Sequence, residues 1–110
     1  MNGQPSYIEL GVPDADAART FYGALLGWRP SGAAGPGSVS TPTLDIGLHG
    51  EDPQPGLLVF LDVDDLDAAI GRVAELGGQV HGPVVEDEGF GRFAVCTDDQ
   101  GVRFALRRPS

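Results

Sequence analysis

Lysine is absent from this chain. Its seven basic residues are all arginines, set against 16 acidic ones, for a formal charge of −9. Without an amine side chain, Schiff-base chemistry and a lysine general base are excluded. The acidic balance repels phosphate backbones, so nucleic acid is not an expected partner. A neutral or cationic small molecule meets less resistance, although such acidity equally serves a solvated surface. Cysteine is nearly absent too. Cys96 stands alone, which rules out an internal disulfide, and within "RFAVCT" it reads as a buried, inert thiol. No apolar run reaches membrane length and no signal stretch opens the chain, so a cytoplasmic protein with no membrane partner is expected. Phosphate loop, nucleophile elbow, dinucleotide fingerprint and zinc-knuckle spacing are all missing, and no cofactor is expected.

What is present is punctuation. "SYIELGV" is rich in β-formers and bounded by Pro5 and Pro13, so it reads as a strand. Asp14 stands at a helix N-cap, Ala17, Phe21 and Leu25 recur at helical spacing, and Gly27 suits the helix stop. Short strands are expected near Trp28–Pro30 and Ser38–Thr41 around the turn "GAAGPG", with a better strand in "TLDIGLHG". Trp28 is expected either to lock the helix to the sheet or to cover the mouth of a cleft. After the linker "GEDPQPG" the pattern restarts: strand "GLLVFLDV", a helix capped by Asp64 or Asp65 and running through Leu76, then strands "QVHGPVVE", "FGRFAVCT" and "GVRFALRR". His81, beside Gly82–Pro83, is expected at a turn or rim.

The two halves are copies. Sliding the chain by 51 positions lays Leu10 on Leu61, Val12 on Val63, Asp14 on Asp65, Asp16 on Asp67, Ala17 on Ala68, Ala18 on Ala69, Leu25 on Leu76 and Gly27 on Gly78. These matches are strand end, cap, helix face and helix stop, in order. The expectation is an α+β fold in a single domain spanning residues 1–110: two βαβββ modules in tandem, about 5–50 and 56–108, joined by linker 50–56. Curved mixed sheets would form a cleft, with helices on the outer face.

"YIELGVPDADAARTFYGALLGW", "GLLVFLDVDDLDAAIGRVAELGG" and "GFGRFAVCTDDQGVRFAL" together resemble the vicinal oxygen chelate superfamily: glyoxalases, extradiol dioxygenases, fosfomycin-resistance enzymes and bleomycin-binding proteins. The resemblance implies paired modules around an open cleft, commonly in a homodimer. It also implies a divalent metal held by His, Glu or Gln at fixed places. Here those places carry Tyr7, its repeat equivalent Leu58, and Ala105, with a fourth somewhere in "TLDIGLHG". Leucine and alanine cannot coordinate and a phenol is a poor ligand, so no metal is expected. Glu9, Asp45 and His49 form an alternative donor set.

Strand alternation then supplies the cleft. Ile8, Leu10 and Val12 should pack under helix, turning Tyr7, Glu9 and Gly11 inward. The same parity turns Leu58, Phe60 and Asp62 inward on the repeat strand, and Arg103, Ala105 and Arg107 on the last, where Val102, Phe104 and Leu106 face the core. The candidate ligand-binding residues are Tyr7, Glu9, His49, Phe60, Asp62 and Arg103, with Arg103 the expected partner of Glu9. An unpaired Glu9 would suit a general base. Three functions follow: a metal-free binder of an apolar or aromatic small molecule; a lyase, isomerase or dioxygenase with an unorthodox metal site or acid–base chemistry through Glu9; and a protein-association module with a filled cleft.

Overall fold

A computed structural model describes residues 2–32 and 37–110. In chain order the elements are β1 (Pro5–Gly11), α1 (Ala15–Leu26), β2 (Val39–Ser40), β3 (Asp45–His49), β4 (Gly56–Asp62), α2 (Leu66–Glu75), β5 (Gln79–Asp87), β6 (Gly91–Thr97) and β7 (Arg103–Pro109). The chain forms two compact units, Tyr7–Leu58 and Met1–Ser6 with Val59–Ser110. The architecture is α+β, with one helix and a mixed group of strands in each half.

The repeated caps do the same work twice. Asp14 accepts from the amide of Ala17 at 3.1 Å, and Asp65 from that of Ala68 at 3.0 Å, each satisfying an amide the first helical turn leaves unpaired. Gly27, with φ 73°, ends α1 in the left-handed conformation.

In the first unit β3 lies between β2, antiparallel, and β1, parallel; Glu9 stands opposite Gly47 and Gly11 opposite His49. The expected strand at Trp28–Pro30 does not form. Trp28 instead stacks on Tyr22 of α1, ring centroids 5.3 Å apart. Most of the "GAAGPG" turn, residues 33–36, lies outside the described residues. The helix face also differs from expectation. Phe21 is 60% and Leu25 64% exposed, and the buried position is Ala18. Ala18 and Tyr22, with Leu10, Ile46 and Leu48 of the strands, line a cavity of about 50 Å³. A methyl lets the helix approach the sheet where a phenyl ring would hold it off.

In the second unit the strand order is β4-β7-β6-β5, with β4 parallel to β7 and the rest antiparallel. Leu66, Ala94, Cys96 and Leu106 form a buried cluster, against which Leu61, Val63, Ala69, Ile70, Val73 and Phe104 pack. Ala69 is the repeat partner of Ala18, so both helices put the same position down. Val102 precedes β7 and is exposed rather than core. His81 sits within β5, beside the bulge at Gly82–Pro83, where its Nε2 lies 3.0 Å from Thr97 Oγ1.

Candidate functional site

Alternation along β1 turns Ile8 and Leu10 one way and Tyr7, Glu9 and Gly11 the other. The second set meets Gly47 and His49 of β3 and builds a continuous polar chain. Tyr7 Oη donates to Glu9 Oε1 at 2.7 Å; Glu9 Oε2 lies 2.5 Å from His49 Nδ1; His49 Nε2 lies 2.8 Å from Asp52 Oδ2. Tyr7 is buried, with 5% exposure, while the His49 side chain is 47% exposed, so the chain runs from interior to surface.

Two glycines make room for it. A Cβ built at Gly47 would fall onto Tyr7 Oη and Glu9 Oε1, and one at Gly11 onto Asp52 Oδ2. Each lies directly opposite a residue of the chain in the β1–β3 register. Asp52 comes from the linker, brought back where its amide donates to Val12 O at 3.1 Å, one residue after Glu51 turns at φ 55°.

His49 has a carboxylate at each ring nitrogen. The hydrogen bond to Glu9 raises its pKa above the usual imidazole value; burial opposes the rise and the bond to Asp52 adds to it. The protonated form, with N–H on both sides, is thereby favoured.

These residues do not fit a divalent ion. Both imidazole nitrogens face carboxylates at hydrogen-bond distance, which leaves no lone pair directed at a cation. Among the described residues no group of three His, Cys, Asp or Glu is arranged to hold a metal. Of the positions the resemblance marks, Tyr7 is hydrogen-bonded to Glu9, and Leu58 and Ala105 carry no donor. The fourth position follows from register. Ala105 pairs with Phe60, Phe60 is the repeat equivalent of Glu9, and Glu9 pairs with Gly47, so it falls on a residue without a side chain.

Of the expected set, Tyr7, Glu9 and His49 come together. Asp45 does not join them: it stands opposite Tyr7 in the register, and Asp52 takes the place expected of it. Nor is Arg103 the partner of Glu9; that carboxylate is held by Tyr7 and His49, and Arg103 is exposed.

In the second unit Phe60 and Asp62 lie on the face opposite the buried cluster. Phe60 meets Phe90 and Phe93 edge-on, at centroid distances of 5.5 and 5.2 Å. Asp62 Oδ1 accepts from Ser6 Oγ at 2.5 Å. Ser6 in turn accepts from Arg107 Nη1 at 3.2 Å, while Arg107 Nε and Nη2 donate to Phe90 O at 3.0 and 2.8 Å. Alternation placed Arg107 on this face, but Ser6, Phe90 and Phe93 escaped the sequence reading. Phe90 belongs to the β5–β6 turn, where no alternation operates.

A family model described as the Glyoxalase/Bleomycin resistance protein/Dioxygenase superfamily matches residues 4–106. The chain is 32% identical to the anthracycline biosynthesis protein DnrV of Streptomyces peucetius over 96% of its own length and 47% of that protein's. It is 34% identical to the putative glyoxylase CFP32 of Mycobacterium tuberculosis, over 93% of this chain and 42% of that one. Among solved structures, methylmalonyl-CoA epimerase from Mycobacterium tuberculosis superposes with a TM-score of 0.69 at 20% identity, covering 98% of this chain and 88% of that one. At that identity the likeness is one of fold. The chain spans about half the length of the curated relatives it matches, and it belongs to the glyoxalase/bleomycin resistance protein/dioxygenase superfamily.

Proposed function

We propose that this protein binds an apolar or aromatic small molecule and does so without the divalent ion of its metal-dependent relatives. One observation carries the reading: the hydrogen-bonded Tyr7–Glu9 pair fills the space a side chain at Gly47 would need. Tyr7, Glu9 and His49 supply polar handles in one unit. In the other unit Phe60 presents an apolar ring and Asp62 a carboxylate, and Arg103 is exposed. The relative DnrV is named for anthracycline biosynthesis, which favours a planar aromatic ligand. The protein acts as a homodimer in the cytoplasm; among the described residues no helix is long and apolar enough to cross a membrane.

Calorimetric titration with planar aromatic compounds, in chelator and then in added zinc, nickel or manganese, tests this. Saturable binding with the same affinity in both buffers is expected. Affinity that requires the metal contradicts it.

A second reading rests on the Glu9–His49 contact. A half-exposed carboxylate–imidazole pair can accept and return a proton, which would make the chain a metal-free lyase or isomerase. That reading requires a turnover which Glu9→Gln abolishes while the fold survives.

A further inference from the structure

Three arginines are half-buried: Arg19, Arg92 and Arg107. Arg19 lies 2.7 Å from Asp16, and Arg92 3.1 Å from Glu86 and 3.5 Å from Asp67. Arg107 differs. Among the described residues no carboxylate pairs with it, in a chain holding 16 acids to 7 bases. Its partners are neutral oxygens, two bonds to Phe90 O and one to Ser6 Oγ.

The arrangement fixes the guanidinium and leaves part of it for something else. Ser6 gives its single proton to Asp62, so only its lone pairs face Arg107. The guanidinium also stacks over the Phe90 ring, 4.0 Å from the centroid. Three of its five N–H groups are thereby used, and the other two have no partner among the described residues. Asp62, opposite Arg107 in the β4–β7 register, reaches the guanidinium only through the shared Ser6 Oγ, so the two unused N–H groups are open to direct, charge-assisted bonds from an incoming anion.

What surrounds it defines the rest of the ligand. Phe93 stands opposite Arg107 on β6, Phe60 opposite Ala105 on β4, and Phe90 closes the group, its ring 5.7 Å from that of Phe93. Phe60 is buried and forms the floor; Phe90 and Phe93 are half-exposed and present ring surface. Guanidinium geometry matches a carboxylate in two parallel bonds, and aromatic edges and faces suit a flat ring.

We propose that the Phe60–Phe90–Phe93 group with Arg107 is a binding site for a planar aromatic acid, whose anionic group pairs with Arg107. This rests on the small-molecule-binding reading above and narrows its ligand class. The overall charge of −9 does not forbid it, because surface acids beyond about 8–10 Å are screened at physiological salt.

Naphthalene-2-carboxylate and its uncharged amide are the probes. The wild-type protein is expected to bind the acid at least about tenfold more tightly than the amide, as a charge-assisted pair would give. In Arg107→Gln the ratio should fall to about one. In wild-type protein the acid alone should shift the Arg107 Nε–H resonance, a readout independent of whether the variant folds. Equal affinity for both probes, or an unmoved Arg107 resonance on acid binding, overturns the acid site and leaves the metal-free binding reading standing. Failure to bind either probe overturns the site and counts against a planar ligand altogether.

Discussion

A single methyl at position 47 is the sharpest perturbation of the polar chain. In Gly47→Ala the new Cβ would coincide with Tyr7 Oη and Glu9 Oε1, so one of them must leave. Tyr7 is only 5% exposed and cannot swing freely into water. Breaking its charge-assisted hydrogen bond to Glu9 costs about 1.5–3 kcal/mol. Overpacking adds about 1–3 kcal/mol. The two overlap, so a net loss of roughly 2–4 kcal/mol is expected, which lowers Tm by roughly 10–20 °C. Urea denaturation of Gly47→Ala, Tyr7→Phe and the double variant measures it. Removing the hydroxyl frees part of the space, so the double variant should be more stable than additivity allows, by about 1 kcal/mol. Gly47→Ala within about 0.5 kcal/mol of wild type, or strict additivity, would refute the placement of Tyr7 and Glu9 over Gly47.

Other consequences are simpler to check. His49 has a raised folded-state pKa, so its stabilising contribution is full below the unfolded imidazole value and disappears as pH rises through the folded one. Because the side chain is half-exposed, less than about 1 kcal/mol should be lost on that rise, and His49→Gln should abolish the pH dependence. Asp14→Ala and Asp65→Ala each remove an N-cap and should cost about 1 kcal/mol in chemical denaturation. Leu66→Ala, in the second-unit core at 1% exposure, should cost about 2–5 kcal/mol. Phe21→Ser, on the exposed side of α1, should stay within about 0.5 kcal/mol of wild type.

Strand alternation and cap chemistry are local, and what rests on them was legible. Tyr7, Glu9 and Gly11 share a face, both caps sit where the repeat put them, and the strands of the second half appear as read. The α1 face was not legible, because that helix is apolar on two sides and periodicity cannot choose between them. The repeat does not choose either, since Ala17 and Ala68 coincide as well as Ala18 and Ala69; only packing shows that the second pair points inward. Asp52 was out of reach: it depends on the turn at Glu51 and on hydrogen bonds between linker and strand end. Arg107 was placed on its face, but Ser6 and Phe90 meet it through tertiary contacts that no local pattern encodes.

The proposal to be tested is that the Tyr7–Glu9–His49 chain holds no divalent ion. Thermal unfolding of chelator-treated protein, with and without zinc, nickel or manganese at about 100 µM, tests it most directly. A site of micromolar affinity would add about 2.7 kcal/mol under those conditions and raise Tm by roughly 10 °C. The expected result is no rise with any of the three ions. A saturable rise that Tyr7→Phe or Glu9→Gln removes would contradict the account.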